Sequence, residues 1–310
     1  MGLTTHATAI NTEASNQNSS LIRNKINNAS NGDTIIVNSG IYNEQIIITK
    51  SISLQGEHKQ NTVITSNKSS IIIIQNNNVS IQNLTIQGTG NQEQKGIIIQ
   101  QSTHIEISMN DFTSIHNDSI YLNNSDTNVI RNNTFKENRN GIIIEGDYNQ
   151  ILYNRFINHS KSGIIIKSYS KDNAIASNIF TNNHDFGLKI QKYAKNTTVY
   201  LNNFMDKLDA NNKGEQTIWY NTTLHLGNYW KRYQGKDENN NGIGDTSFMV
   251  KDNNSIHDLF PLMYPLHYQA DEAFNPDDPA LFSVLTIGVI LSIILLIPIA
   301  YLWRKYILNK

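Results

Sequence analysis

The chain contains no cysteine. That excludes a disulfide framework, an iron–sulfur cluster, a thiolate zinc site and a cysteine nucleophile. Charge is also scarce: Asp, Glu, Lys and Arg make up 16% of the chain, and 25 basic against 26 acidic residues leave a net charge of −1. No long run of one sign occurs. A near-neutral chain without a basic run is a poor match for nucleic acid, whose affinity comes mainly from neutralised phosphates. Leucine is too sparse in the body for a leucine-rich repeat, and helical periodicity is missing there. The length of 310 residues allows one large domain or two modest ones.

Asparagine and isoleucine are abundant instead, each at roughly 15% of the chain. Near the end, Ala280 to Trp303 runs for about 24 residues without a charge, enough to cross a hydrocarbon core of roughly 30 Å. Pro298 can kink such a helix, and Tyr301 and Trp303 suit an interfacial belt. Arg304, Lys305 and Lys310 follow the span, whereas Asp271, Glu272, Asp277 and Asp278 precede it. The positive-inside rule then predicts a single-pass cell-membrane protein with residues 304–310 in the cytoplasm and the body outside. Membrane lipid is the expected partner of residues 280–303, with a stalk over 269–279. The opening MGLTTHATA has no apolar core for a signal peptide, although Ala7-Thr8-Ala9 resembles a cleavage-site end. Residues 1–18 read as a leader remnant or a disordered start. Sequons such as Asn67, Asn83, Asn132, Asn196 and Asn221 suit an exported body, but this composition produces many by chance.

The body repeats. Asn-x-Phe recurs at Asn110, Asn133, Asn154, Asn178 and Asn202, and Asn83 begins a looser copy; successive copies are 21 to 27 residues apart. A second marker keeps step: Gly96, Gly141, Gly163 and Gly187 each open an apolar run, as does Ser119. Two markers with one solenoid-like period and short β-rich runs predict a parallel β-helix over residues 19–226. Roughly eight coils, stacked at about 4.8 Å, fit between Thr34 and Leu226. Stacked Ile fills the interior, Phe forms a column at a corner, and inward Asn110, Asn133, Asn154, Asn178 and Asn202 form a structural amide ladder. Ser19 to Ser30 reads as an N-terminal cap helix with Ser20 as N-cap and Gly32 just past the end.

The stretch INNASNGDTIIVNSGIYNEQIIITKSISLQGE resembles the opening of pectin-lyase-like β-helix proteins. The C-terminal match is sharper: Gly227-Asn228-Tyr229-Trp230, DENNNGIGD over Asp237–Asp245 and LFPLMYP over Leu259–Pro265 are similar to the end of NosD-like domains and related archaeal surface proteins. The resemblance implies an all-β, right-handed, single-stranded parallel β-helix with a C-terminal cap over 227–268. It also implies a possible accessory role in copper-enzyme maturation.

Within that cap, Asp237, Asn239, Asn241 and Asp245 alternate around Gly242, like the first half of an EF-hand loop. With the Ile243 carbonyl they form a candidate weak, structural Ca²⁺ site; no organic cofactor is expected. Position twelve is Phe248 rather than Glu, which excludes a true EF-hand. Asp252 or Asp258 are the residues that can complete the shell. His116, Arg139, His159 and His184 follow the Phe column and predict an axial surface stripe for a ligand. Its alternatives are a transition metal shared by His159 and His184, a carbohydrate groove with Asp118, Asp185 and Tyr193, or plain solvated turns. No catalytic constellation is visible. Three functions stay open: a surface module binding a glycan or envelope component, a carbohydrate-active lyase, hydrolase or epimerase, and a copper-maturation accessory.

Overall fold

The computed structural model describes residues 21–250 and 256–266. The leader, the stalk, the 280–303 span, the cytoplasmic tail, Ser20 and Asp252 lie outside the described residues. Among the described residues, no helix is long and apolar enough to cross a membrane.

Short β-favouring runs of Ile, Val, Thr and Phe are cut by Asn-rich turns, so each lap of the chain makes three brief strands. Strands of successive laps pair in parallel and build three sheets. The first has eight strands, from Thr34–Val37 to Thr198–Tyr200. The second has nine, from Gly40–Asn43 to Tyr229–Trp230. The third has eight, from Ile46–Ile48 to Ala210–Asn212. The solenoid thus gains a ninth strand in one sheet over the expected eight coils, because the Asn228-Tyr229-Trp230 motif continues the stack rather than ending it.

Alternation decides which residues meet inside. In the third sheet, Ile97, Ile120, Ile142, Ile164 and Leu188 lie in one inward file and are fully buried. Each such side chain contributes about 1.5–3 kcal/mol when withdrawn from water. Phe112, Phe135, Phe156 and Phe180 stand in the middle of second-sheet strands, not at a corner, and stack with one another and with Phe204 at centroid distances of 4.7–5.1 Å. Trp230 and Phe248 prolong the pile at 4.4 and 4.5 Å.

Corners are turned by residues at positive φ, followed by an inward side chain that is often polar, as in Asn132 (φ 56°) and Asn133, and apolar at others, as in Ser114 and Ile115. The side-chain oxygens of Asn133, Asn154, Asn178 and Asn202 each accept from the backbone N–H and amide of the asparagine one coil before, at 2.9–3.1 Å. Asn110 begins this file by accepting from Leu84 N–H at 3.0 Å. Asn228 continues it, and its backbone N–H donates to Asp258 Oδ2 at 2.7 Å. Two further files occupy the other corners: Asn128–Asn149–Asn173, and Asn138–His159–Asn183–Asp206. Turn backbone that would otherwise be orphaned is satisfied in this way.

The cap helix runs Leu21–Asn28 and buries Ile22 and Ile26 on the first coil. Glu44 reaches up from the first coil and accepts from Ile22 N–H at 3.3 Å, a carboxylate at the positive end of the helix.

Candidate functional site

The third sheet carries the most varied outer face. One outward file passes from Ile98 through Tyr121, Ile143 and Ile165 to Lys189. The next holds Gln100, Asn123 and Glu145, then Lys167, Gln191 and Lys213, whose N–H groups donate to Ile144, Ile166 and Ile190 of the preceding coils. The face thus carries isoleucine and amide side chains towards the N-terminal coils, polar groups around Tyr121 and Glu145, and lysines towards the last coils.

The polar centre is built from three coils. Lys95 Nζ lies 2.6 Å from Asp118 Oδ2, and the Asn140 amide donates to Asp118 Oδ1 at 3.0 Å. The Tyr121 hydroxyl donates to Glu145 Oε2 at 2.5 Å, and Lys95 stands 5.4 Å from the Tyr121 ring centre. Burial, then the bond to Glu145, pushes the Tyr121 phenol up to about 12. At neutral pH it is a donor, and both carboxylates already hold partners. The centre can orient a polar ligand; it does not present a free base for proton abstraction.

Two rims flank this face. On the entry side, backbone bonds between coils place His116, Arg139, Ser160 and His184 at one position of successive laps. His116, Arg139 and His184 are exposed, and His184 Nδ1 lies 3.1 Å from Asp185 Oδ1. His159 does not join them. It is 1% exposed and faces inward, where Nδ1 accepts from Asn138 N–H at 3.2 Å. Burial drives its pKa down to about 3, so the ring is neutral. The one-residue offset from the stripe turns the side chain to the opposite face, as alternation requires. His159 and His184 therefore cannot share a metal ion.

On the exit side, Tyr169 and Tyr193 occupy the turns that leave the third sheet. Their rings stack nearly parallel, 5.4 Å apart at 12°, and are 71% and 40% exposed. Lys192 Nζ stands 4.7 Å from the Tyr193 ring centre. Tyr193 thus borders the opposite rim from His184 and Asp185, with the sheet face between them.

The 237–245 loop winds around its own backbone. Asp237 accepts from Asn241 and Gly242 N–H at 3.1 and 2.9 Å, Asn239 accepts from Asn241 N–H at 3.0 Å, and Asn241 accepts from Ile243 N–H at 2.8 Å. Asp245 accepts from Glu238 N–H at 2.7 Å. Backbone bonds from Asp245 to Lys236 and between Gly242–Gly244 and Pro261–Met263 close the loop further. Asp258 lies elsewhere: it is fully buried and takes Trp230 Nε1–H at 2.8 Å at the end of the asparagine file. Among the described residues, no three His, Asp or Glu side chains gather into a metal-binding group.

Sequence reasoning missed the Lys95–Asp118–Asn140 and Tyr121–Glu145 contacts, since each joins residues on separate coils. It also missed Tyr169, although Tyr169 and Tyr193 stand at the same offset after Ile166 and Ile190.

Parallel coils, stacked asparagines and the helical cap define a pectin-lyase-like β-helix. Among solved structures of this fold, an alginate lyase from Paenibacillus sp. str. FPU-7 superposes with a TM-score of 0.52 at 16% identity, covering 70% of this chain and 86% of that one. A pectin methylesterase from carrot gives 0.45 at 12% identity, covering 68% and 81%. The family described as "Periplasmic copper-binding protein (NosD)" matches residues 26–235, and the chain belongs to this NosD family. No curated protein shows significant similarity to the chain.

Proposed function

We propose that this protein is a binding module of the cell envelope, anchored through residues 280–303, that offers the outer face of the third sheet to an extended glycan. The observation that carries the reading is the exposed Tyr169–Tyr193 pair. Aromatic rings kept in water side by side are a natural platform for the apolar face of a sugar ring, with hydroxyl groups at hand. Neither tyrosine hydroxyl has a hydrogen-bond partner among the described residues. The coil repeat of about 4.8 Å adds a regular series of polar contacts along a polymer. A calcium ion held by Asp237, Asn239, Asn241, the Ile243 carbonyl and Asp245 belongs to this proposal as a weak brace of the cap.

The test is retention of the detergent-solubilised full chain on a panel of immobilised polysaccharides. Tyr169→Ala and Tyr193→Ala should each weaken retention about tenfold, in line with loss of a stacking contact, with melting temperature unchanged. Retention that ignores both substitutions would sink the reading. Copper handling, which the family description carries, finds little support in the histidines: His159 is buried and neutral, and His184 is engaged by Asp185. Calorimetric titration with copper checks that alternative. The carbohydrate-enzyme alternative requires a free acid–base pair, and product analysis after incubation with polysaccharide checks it.

A further inference from the structure

The lysines at the C-terminal end of the third-sheet face specify the charge of its ligand. Lys167 and Lys213 share one outward file with Gln191 between them, and Lys189 stands in the neighbouring file. Two coils separate Lys167 from Lys213, about 10 Å at the strand spacing. Some surface lysines have a carboxylate close by: Lys95 has Asp118, Lys161 has Asp185 and Lys195 has Glu215. Among the described residues, Lys167, Lys189 and Lys213 have no such carboxylate. The nearest acid in their own file, Glu145, is held by Tyr121. On a chain whose net charge is −1, this is a local surplus of positive charge beside an aromatic platform. Such a surplus is self-repelling until an anion arrives.

We infer that the glycan taken by this face is acidic, its carboxylates paired with Lys167, Lys189 and Lys213 while a sugar ring lies on Tyr169. The inference rests on the reading of this face as a glycan site. A single-stranded nucleic acid fits less well. Its backbone needs a positively charged groove to track along, and in these two files the coils before Lys167 carry no basic side chain.

The experiment compares three polymers on the full chain in detergent: polygalacturonate, the same polymer with its carboxyl groups reduced to alcohols, and polyuridylate. Polygalacturonate should bind, and carboxyl reduction or high salt should weaken it about tenfold. The double variant Lys167→Gln/Lys213→Gln should lose about the same factor on polygalacturonate with an unchanged melting temperature. If the reduced polymer binds as tightly, and the double variant is indifferent while Tyr169→Ala still weakens it, the acidic class is wrong and the glycan site stands. If polyuridylate binds more tightly than polygalacturonate through the same lysines, the ligand class is overturned. If neither polysaccharide binds, this inference falls, and the retention panel decides the glycan reading separately.

Discussion

Gly141 faces the ring of Phe156 from the neighbouring coil. A Cβ on Gly141 would stand 2.5 Å from Phe156 Cδ1 and 2.4 Å from the Gly163 carbonyl oxygen. Gly163 and Gly187 likewise face Phe180, so in these laps the glycine opening the apolar run and the phenylalanine of Asn-x-Phe are two halves of one contact. Gly141→Ala must displace the ring or the next coil's backbone, at a cost of about 1–3 kcal/mol. Urea unfolding should show a lower midpoint with an unchanged slope. A variant as stable as the parent would refute the contact's importance.

Asn154 serves as acceptor for Asn133 N–H and amide, and donates to Ile130 and Leu152 carbonyls at 2.8 and 3.0 Å. Asn154→Leu is similar in size and removes every one of these bonds. Orphaning buried donors costs about 1–3 kcal/mol each, so the midpoint should fall more than for Gly141→Ala. Hydrogen exchange should quicken at Asn133 before it does at Asn202.

Asp206 closes the second-corner file, where Asn183 N–H donates to its Oδ1 at 2.8 Å. Burial pushes its pKa up from 3.8 to about 6. Between those values the folded state holds the proton more tightly than the unfolded state. Its contribution to stability is therefore full below the unfolded pKa and is lost as pH rises through the folded pKa. Asp206→Asn keeps an acceptor for Asn183 and removes the titration. The difference in unfolding free energy between parent and variant should shift in the variant's favour on raising pH from 4 to 7, on the order of a few kcal/mol. A pH-independent difference would rule this out.

His159 takes a slot that asparagine holds at 138 and 183. His159→Asn should retain the file through its amide oxygen and cost less than about 1.5 kcal/mol. His159→Ala leaves Asn138 N–H unpaired and a gap beside Phe156, and should cost about 2–4 kcal/mol. Glycan retention should be the same for both variants, because the side chain never meets the outer face. Thermal unfolding and the retention assay read the two effects separately.

The coil period was legible because Asn-x-Phe and the Gly-led runs recur for stacking reasons that leave few substitutes. One asparagine file was visible from that marker. The other two carried a quieter signal: Asn128, Asn133 and Asn138 are five residues apart, as are Asn173, Asn178 and Asn183. That spacing is one short strand plus one corner. The His stripe failed at His159 because an offset of one residue exchanges the inner for the outer side of a lap. The Lys95–Asp118–Asn140 group was hidden because its members stand 22 or 23 residues apart, and nothing in their types distinguishes a neighbour on the next lap from a distant residue.

Every bond in the Asn110–Asn228 file points the same way, and Asp258 terminates it with oxygens alone. A thread of one-way links can be cut and rejoined at any link. Splicing one complete lap of 21 or 24 residues between two asparagines strands no donor and no acceptor. A splice that is not a whole lap sends oily residues outward and amides into the wrong slot. The distance this rod reaches is thus a whole-number quantity, which duplication of a single lap can extend without redesigning either end.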